Sequence, residues 1–126
     1  MRYLLDSTLL IDHARGDDGA ATVLRRLIEE GHDLYACDVV TCETLSAGEP
    51  DELRHVTVLL DALEYVAVSP VAARWAAASR RAGRVGGGRR GLGDALIAGL
   101  ATDLAATVVT RNRPDYARQG VPTLEY

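Results

Sequence analysis

The chain has no lysine and no phenylalanine. All 14 of its basic residues are arginine, set against 18 acids in 126 residues. The missing lysine excludes any mechanism that needs one. A phosphoacceptor receiver domain needs a lysine after its last strand, and a haloacid-dehalogenase-type phosphatase needs one as well. The latter also needs a second aspartate two residues after the first, where this chain has Thr8. A net charge of −4 argues against binding nucleic acid by bulk charge alone. Cysteine is scarce. Cys37 and Cys42 suggest neither a disulfide framework nor a metal-ligand spacing, so a reducing, cytoplasmic setting is expected. No apolar window reaches the ~18 residues of a membrane span. Asp6 interrupts the apolar run at the N-terminus, so no signal peptide is expected. No GK[ST] or strand–glycine–helix fingerprint marks a nucleotide site.

What is present alternates. Five short apolar or β-branched runs read as strands: RYLLD, DLYACD, EYVAVS, ATVVT and VPTLEY. Between them lie segments with helical spacing. In STLLIDHAR, Ser7 or Thr8 can cap the helix. ATVLRRLIEEG puts Val23, Leu24, Leu27 and Ile28 on one face. VVTCETLSAG, DELRHVTVLLDAL, VAARWAAASRRAG and LGDALIAGLATDLA follow. RNRPDYARQG reads as a turn-rich connection and RVGGGRRG as a loop. Strands alternating with helices predict an α/β fold with a central parallel sheet of four or five strands flanked by helices.

Open parallel sheets place their sites at the carboxyl ends of the strands. Four acids belong there: Asp6 after the first strand, Glu43 after the second, Asp94 at the start of the helix before the fourth, and Asp115 after the fourth. Each also has an ordinary structural reading, as a helix cap, a solvated helix residue, a dipole-matched first-turn acid or a turn residue. The combination points to chemistry. Two unit charges ~4 Å apart repel by about 4 kcal/mol at an effective dielectric near 20, so convergent acids need a proton or a cation. Mg²⁺ prefers such oxygen ligands. Setting the four aside leaves 14 acids against 14 arginines.

The segments YLLDSTLLIDHARG, VVTCETLSAG, GDALIAGLAT and VVTRNRPDY, in that order and spacing, resemble those of the PIN-domain ribonucleases, most closely the VapC toxins of bacterial toxin–antitoxin pairs. The resemblance covers nearly the whole chain. It implies one PIN-like domain over residues 1–126, a three-layer sandwich, and an endoribonuclease dependent on Mg²⁺, with Mn²⁺ as substitute. It also implies an RNA substrate and a cognate antitoxin. Asp6, Glu43, Asp94 and Asp115 take the catalytic and metal-binding positions, and Ser7, Thr110 and Asn112 supporting ones. Tyr116 stands where the family usually has Phe. The alternative is a catalytically silent PIN-like module that binds or scaffolds.

Other residues are read more simply. Arg80, Arg81, Arg84, Arg89 and Arg90 form a basic, glycine-rich segment that is either a surface loop or a lip contacting RNA. Trp75 and its alanine neighbours read as helix packing or the face of a homodimer. Asp12 reads as solvated, and His13, His32 and His55 as surface residues.

Overall fold

The computed structural model describes residues 1–86 and 88–126. Gly87, in the middle of the expected arginine–glycine loop, lies outside the described residues. In chain order the elements are β1 (Arg2–Leu5), α1 (Ser7–Ala14), α2 (Asp18–Glu29), β2 (Asp33–Cys37), α3 (Asp38–Leu45) and α4 (Pro50–Ala62). There follow β3 (Glu64–Val66), α5 (Pro70–Val85), α6 (Leu92–Leu104), β4 (Thr107–Val109), α7 (Arg113–Ala117) and β5 (Thr123–Leu124).

All five strands run parallel, in the order β3-β2-β1-β4-β5. The chain winds outward from β1 through β2 to β3, then crosses back to lay β4 on the other side of β1. Right-handed crossovers then place α1–α4 on one face and α5–α7 on the other. Packing follows that division: α1 lies against α2, α3 and α4, while α6 lies against α5 and α7. The sheet is covered on both faces, so β1 and β4 are apolar runs rather than alternating ones. Leu4, Leu5, Val108 and Val109 are fully buried between the layers, with Leu9, Leu10, Ile97 and Leu100 packed against them.

Local signals set the helix ends. Asp17 and Ser69 cap α2 and α5, accepting from the amides of Ala20 at 2.8 Å and Ala72 at 3.1 Å. Asp6 caps α1 by accepting from Ser7 N at 2.8 Å, its ordinary structural reading, in place of the Ser7 or Thr8 cap that the segment also offered. The α5–α6 contact requires a glycine. A methyl group on Gly99 would run into the carbonyl oxygen of Ala72, and would sit 3.3 Å from the Trp75 ring. Trp75 is thus helix packing.

Several expectations change. The connection after β4 contains α7, opened by Pro114 in its first turn. Ile28 is 58 % exposed and lies off the buried face of α2. Helix α5 continues through Gly83 to Val85, so Arg84 joins Arg80 and Arg81 on the helix rather than lying in the loop. Asp12 is not free in solvent: it holds Arg111 at 2.8 Å and accepts from the Tyr126 hydroxyl at 2.7 Å. His55 is exposed and His13 half-buried. His32 is also half-buried, edge-on to Tyr3 at 5.1 Å.

Candidate active site

The winding of the sheet reverses between β1 and β4, and the crevice beyond their carboxyl ends is where such sheets bind ligands. The register pairs Leu5 with Val109, which sets Asp6 and Thr110 side by side as the first residues beyond the two strands. The Asp6 amide donates to Val109 O at 3.1 Å, extending the ladder to the rim of the crevice.

Asp6 is 2 % exposed. Its Oδ1 accepts from Ser7 N at 2.8 Å, Ser7 Oγ at 3.4 Å and Tyr116 Oη at 3.0 Å. Its Oδ2 accepts from Thr8 Oγ1 at 3.2 Å and Thr110 Oγ1 at 2.8 Å. The two threonines are themselves oriented from behind: Arg111 N donates to Thr8 Oγ1 at 3.3 Å, and Asn112 N to Thr110 Oγ1 at 2.9 Å. Each hydroxyl lies within donating distance of Asp6, and the two stand 3.5 Å from each other. These neutral donors hold a buried carboxylate without a cation; among the described residues no Arg or His pairs with Asp6, Glu43 or Asp94.

Asp94 enters from the first turn of α6, and the Tyr116 hydroxyl lies 3.4 Å from its Oδ1. Burial raises the Asp94 carboxyl above the usual range, and the charges of Asp6 and Asp115 raise it further. Tyr116 and Arg118 oppose that rise. Glu43, on the exposed side of α3, reaches the site where α3 meets α6. A methyl group on Gly93 would stand 3.0 Å from Glu43 Oε2, so only glycine leaves the carboxylate its place there. Partial withdrawal from water raises Glu43, with Asp6 and then Asp94 adding to it, and Ser7 opposing. Burial beside Asp6 and Asp94 pushes the Tyr116 phenol far above its ordinary range, so it stays protonated.

The four acids are not equivalent. Asp6, Glu43 and Asp94 share one electrostatic neighbourhood. Asp115 borders Asp94, but its Oδ1 accepts from Arg118 at 2.6 Å, so its charge is already partly offset. Among the described residues no three acids, histidines or cysteines close into a ready ligand cage. Asn112 contributes its backbone amide; its side chain is exposed.

The five arginines also divide. Arg90 is an internal tie: its guanidinium donates to Ser79 O at 2.7 Å, Ser79 Oγ at 3.0 Å and Arg118 O at 3.0 Å. It joins α5 to α7, and Gln119 continues the link, accepting from Ser79 Oγ at 2.7 Å and donating to Asp115 O at 2.8 Å. Arg80, Arg84 and Arg89 line, with Arg90, a cleft of about 260 Å³. Thr8, Tyr116, Gly93 and Arg118 were not among the sequence candidates. Thr8 stands two residues after Asp6, Gly93 directly before Asp94, Tyr116 directly after Asp115 and Arg118 three residues beyond it.

Residues 3–118 match the PIN domain family. The chain belongs to that family. Ribonuclease VapC19 of Mycobacterium tuberculosis is 32 % identical over 111 residues, covering 86 % of this chain and 87 % of the relative. The PIN fold is shared with VapBC2 from Rickettsia felis, solved bound to a DNA fragment from its promoter, at a TM-score of 0.86 and 20 % identity over 100 % and 99 % of the two chains. It is shared also with DNA-bound VapBC from Salmonella typhimurium, at a TM-score of 0.82 and 19 % identity over 99 % and 98 %. In this PIN domain Asp6, Glu43 and Asp94 are electrostatic neighbours, and Asp115 is a neighbour of Asp94.

Proposed function

We propose that this chain is a divalent-metal-dependent endoribonuclease and the toxin of a toxin–antitoxin pair. The observation that carries the reading is that Asp6, Glu43 and Asp94 meet at the sheet's switch point without a paired cation among the described residues. The similarity to Ribonuclease VapC19 supports RNA as the substrate.

The donor set fits a hard, oxygen-seeking cation. It is all carboxylate, it carries excess negative charge, and it offers no soft or nitrogen ligand. The lack of a closed cage suits Mg²⁺, which keeps several waters and uses one or two protein carboxylates plus substrate phosphate; Mn²⁺ substitutes. Asp6 and Asp94 would hold it, with Glu43 and Asp115 completing the shell or orienting water. When bound, the ion supplies a more acidic water and positive charge beside the phosphodiester. Ser7, Thr8 and Thr110 fix the Asp6 carboxylate in place by hydrogen bonds. Arg118 limits the charge on Asp115. Arg80, Arg81, Arg84 and Arg89 would contact the RNA backbone, and Arg90 shapes their cleft.

The partners in this reading are RNA, an antitoxin protein that covers the crevice, and a second copy of the chain in a homodimer. Residues 1–126 act as one PIN domain in the cytoplasm. The test is cleavage of structured RNA with Mg²⁺, with a chelator, and by Asp6→Asn or Asp94→Asn protein. Cleavage is expected only from the native chain with Mg²⁺. Equal cleavage by either variant would remove the metal reading. No cleavage under any condition would favour the silent binding module.

A further inference from the structure

Tyr116 is wholly buried, and its hydroxyl reaches both primary acids, Asp6 Oδ1 at 3.0 Å and Asp94 Oδ1 at 3.4 Å. A phenol carries one hydrogen. It cannot serve two carboxylates fully, and the unequal distances give the larger share to Asp6. A carboxylate has about four acceptor sites, and Asp6 already receives donors from Ser7 N, Ser7 Oγ, Thr8 and Thr110 besides Tyr116. Its acceptor capacity is therefore filled by the protein. An ion that draws on both Asp6 and Asp94 must take an acceptor site that a protein hydrogen now holds.

The five donors differ in how readily they yield. The Ser7 amide is fixed by the backbone of α1, and Ser7 Oγ, at 3.4 Å, is the most distant donor and also serves Glu43. The Thr8 and Thr110 hydroxyls are each oriented from behind by a backbone amide. Tyr116 Oη has no such constraint among the described residues: its hydrogen turns about the C–O bond while the ring stays packed. It is also the donor that Asp6 and Asp94 have in common.

Building on the metal reading above, we propose that the Tyr116 hydroxyl is a displaceable latch. It bridges Asp6 and Asp94 while no cation is bound, and it turns its hydrogen away when a divalent ion engages them. The latch makes two neighbouring carboxylates tolerable in the metal-free protein and competes with metal. Tyr116 is thus a positioning residue toward the two acids.

Two properties move in opposite directions when the hydroxyl is removed. Tyr116→Phe should melt at a lower temperature without metal. It should bind Mn²⁺ roughly tenfold more tightly, the factor that a lost hydrogen bond to a charged group carries. Binding is read by electron paramagnetic resonance of free Mn²⁺, with Asp6→Asn as the control that abolishes it. In the native chain, Mg²⁺ should shift the near-ultraviolet tyrosine absorption to the blue as the phenol loses its carboxylate acceptor. That second measurement stands even if the variant folds poorly. Unchanged or weaker Mn²⁺ affinity in Tyr116→Phe, or no spectral shift with Mg²⁺ saturating, overturns the latch while leaving the metal site intact. If the native chain binds no Mn²⁺, the metal reading fails and the latch fails with it.

Discussion

Thr110 Oγ1 donates to Asp6 Oδ2 at 2.8 Å, across 104 residues of chain. Asn112 N donates to the same hydroxyl at 2.9 Å, and Asp6 Oδ2 lies closer to it than the other acceptor in reach, Thr8 Oγ1 at 3.5 Å. Thr110→Val keeps the shape and removes that donor from a buried carboxylate. The loss should be about 1.5–3 kcal/mol, read by urea unfolding, with Thr110→Ser retaining most of the stability. A valine variant as stable as the native chain would show that Asp6 does not depend on this bond.

The pH dependence of stability follows from Asp94 and Glu43. Both carboxyls are raised above their ordinary values of 3.8 and 4.5. The folded chain therefore holds protons that the unfolded chain has already released. Their contribution is greatest below those ordinary values and is lost as pH rises through the raised ones. Without metal, urea midpoints should decline from this source as pH climbs above the ordinary carboxyl range. Asp94→Asn should flatten the decline and hold or raise the neutral-pH melting temperature. Strong destabilisation by that change would mean that Asp94 serves the helix terminus instead.

Gly93→Ala separates site from fold. The new methyl would meet the mobile end of Glu43, 3.0 Å away, which can swing aside into solvent. Alanine is also the better helix former by about 1 kcal/mol. The melting temperature should hold or rise, while RNA cleavage falls roughly ten- to hundredfold because a carboxylate has moved. Native-level cleavage would place Glu43 outside the working site.

Gly99→Ala should do the reverse. There the methyl meets the backbone carbonyl of Ala72 in a packed helix pair, which cannot swing away. Overpacking of this kind costs about 1–3 kcal/mol. A calorimetric melting temperature equal to the native value would contradict the close α5–α6 approach.

Replacing Arg80, Arg84 and Arg89 by Ser, with the internal tie Arg90 left in place, tests the basic cleft. RNA affinity should fall and the slope of log affinity against log salt should flatten, by about 0.7 for each single-strand phosphate that the protein no longer neutralises. An unchanged slope would assign the cleft no part in RNA binding.

Much of the architecture was legible along the chain. Five apolar runs separated by helical spacing become five parallel strands with helices on both faces, because period and strand length are local properties. The four acids were legible as well, since each lies on a segment that follows a strand or leads into one: Asp6 directly after β1, Glu43 within α3, Asp94 in the first turn of α6 and Asp115 in α7. What the linear order could not convey was which of them meet. That depends on β4 crossing back beside β1, which brings Thr110 against Asp6. It depends on α3 meeting α6, which brings Glu43 over Gly93. Tertiary packing brings Asp94 beside Asp6, whereas Asp115 is offset locally, by Arg118 three residues on. Packing likewise turns Arg90 from a free cation into a tie, and carries the Tyr116 hydroxyl between two carboxylates. The physical reason is range. Helix and strand periodicity act over a few residues, whereas hydrogen bonds and charge coupling act over a few ångströms, between residues that the fold alone makes neighbours.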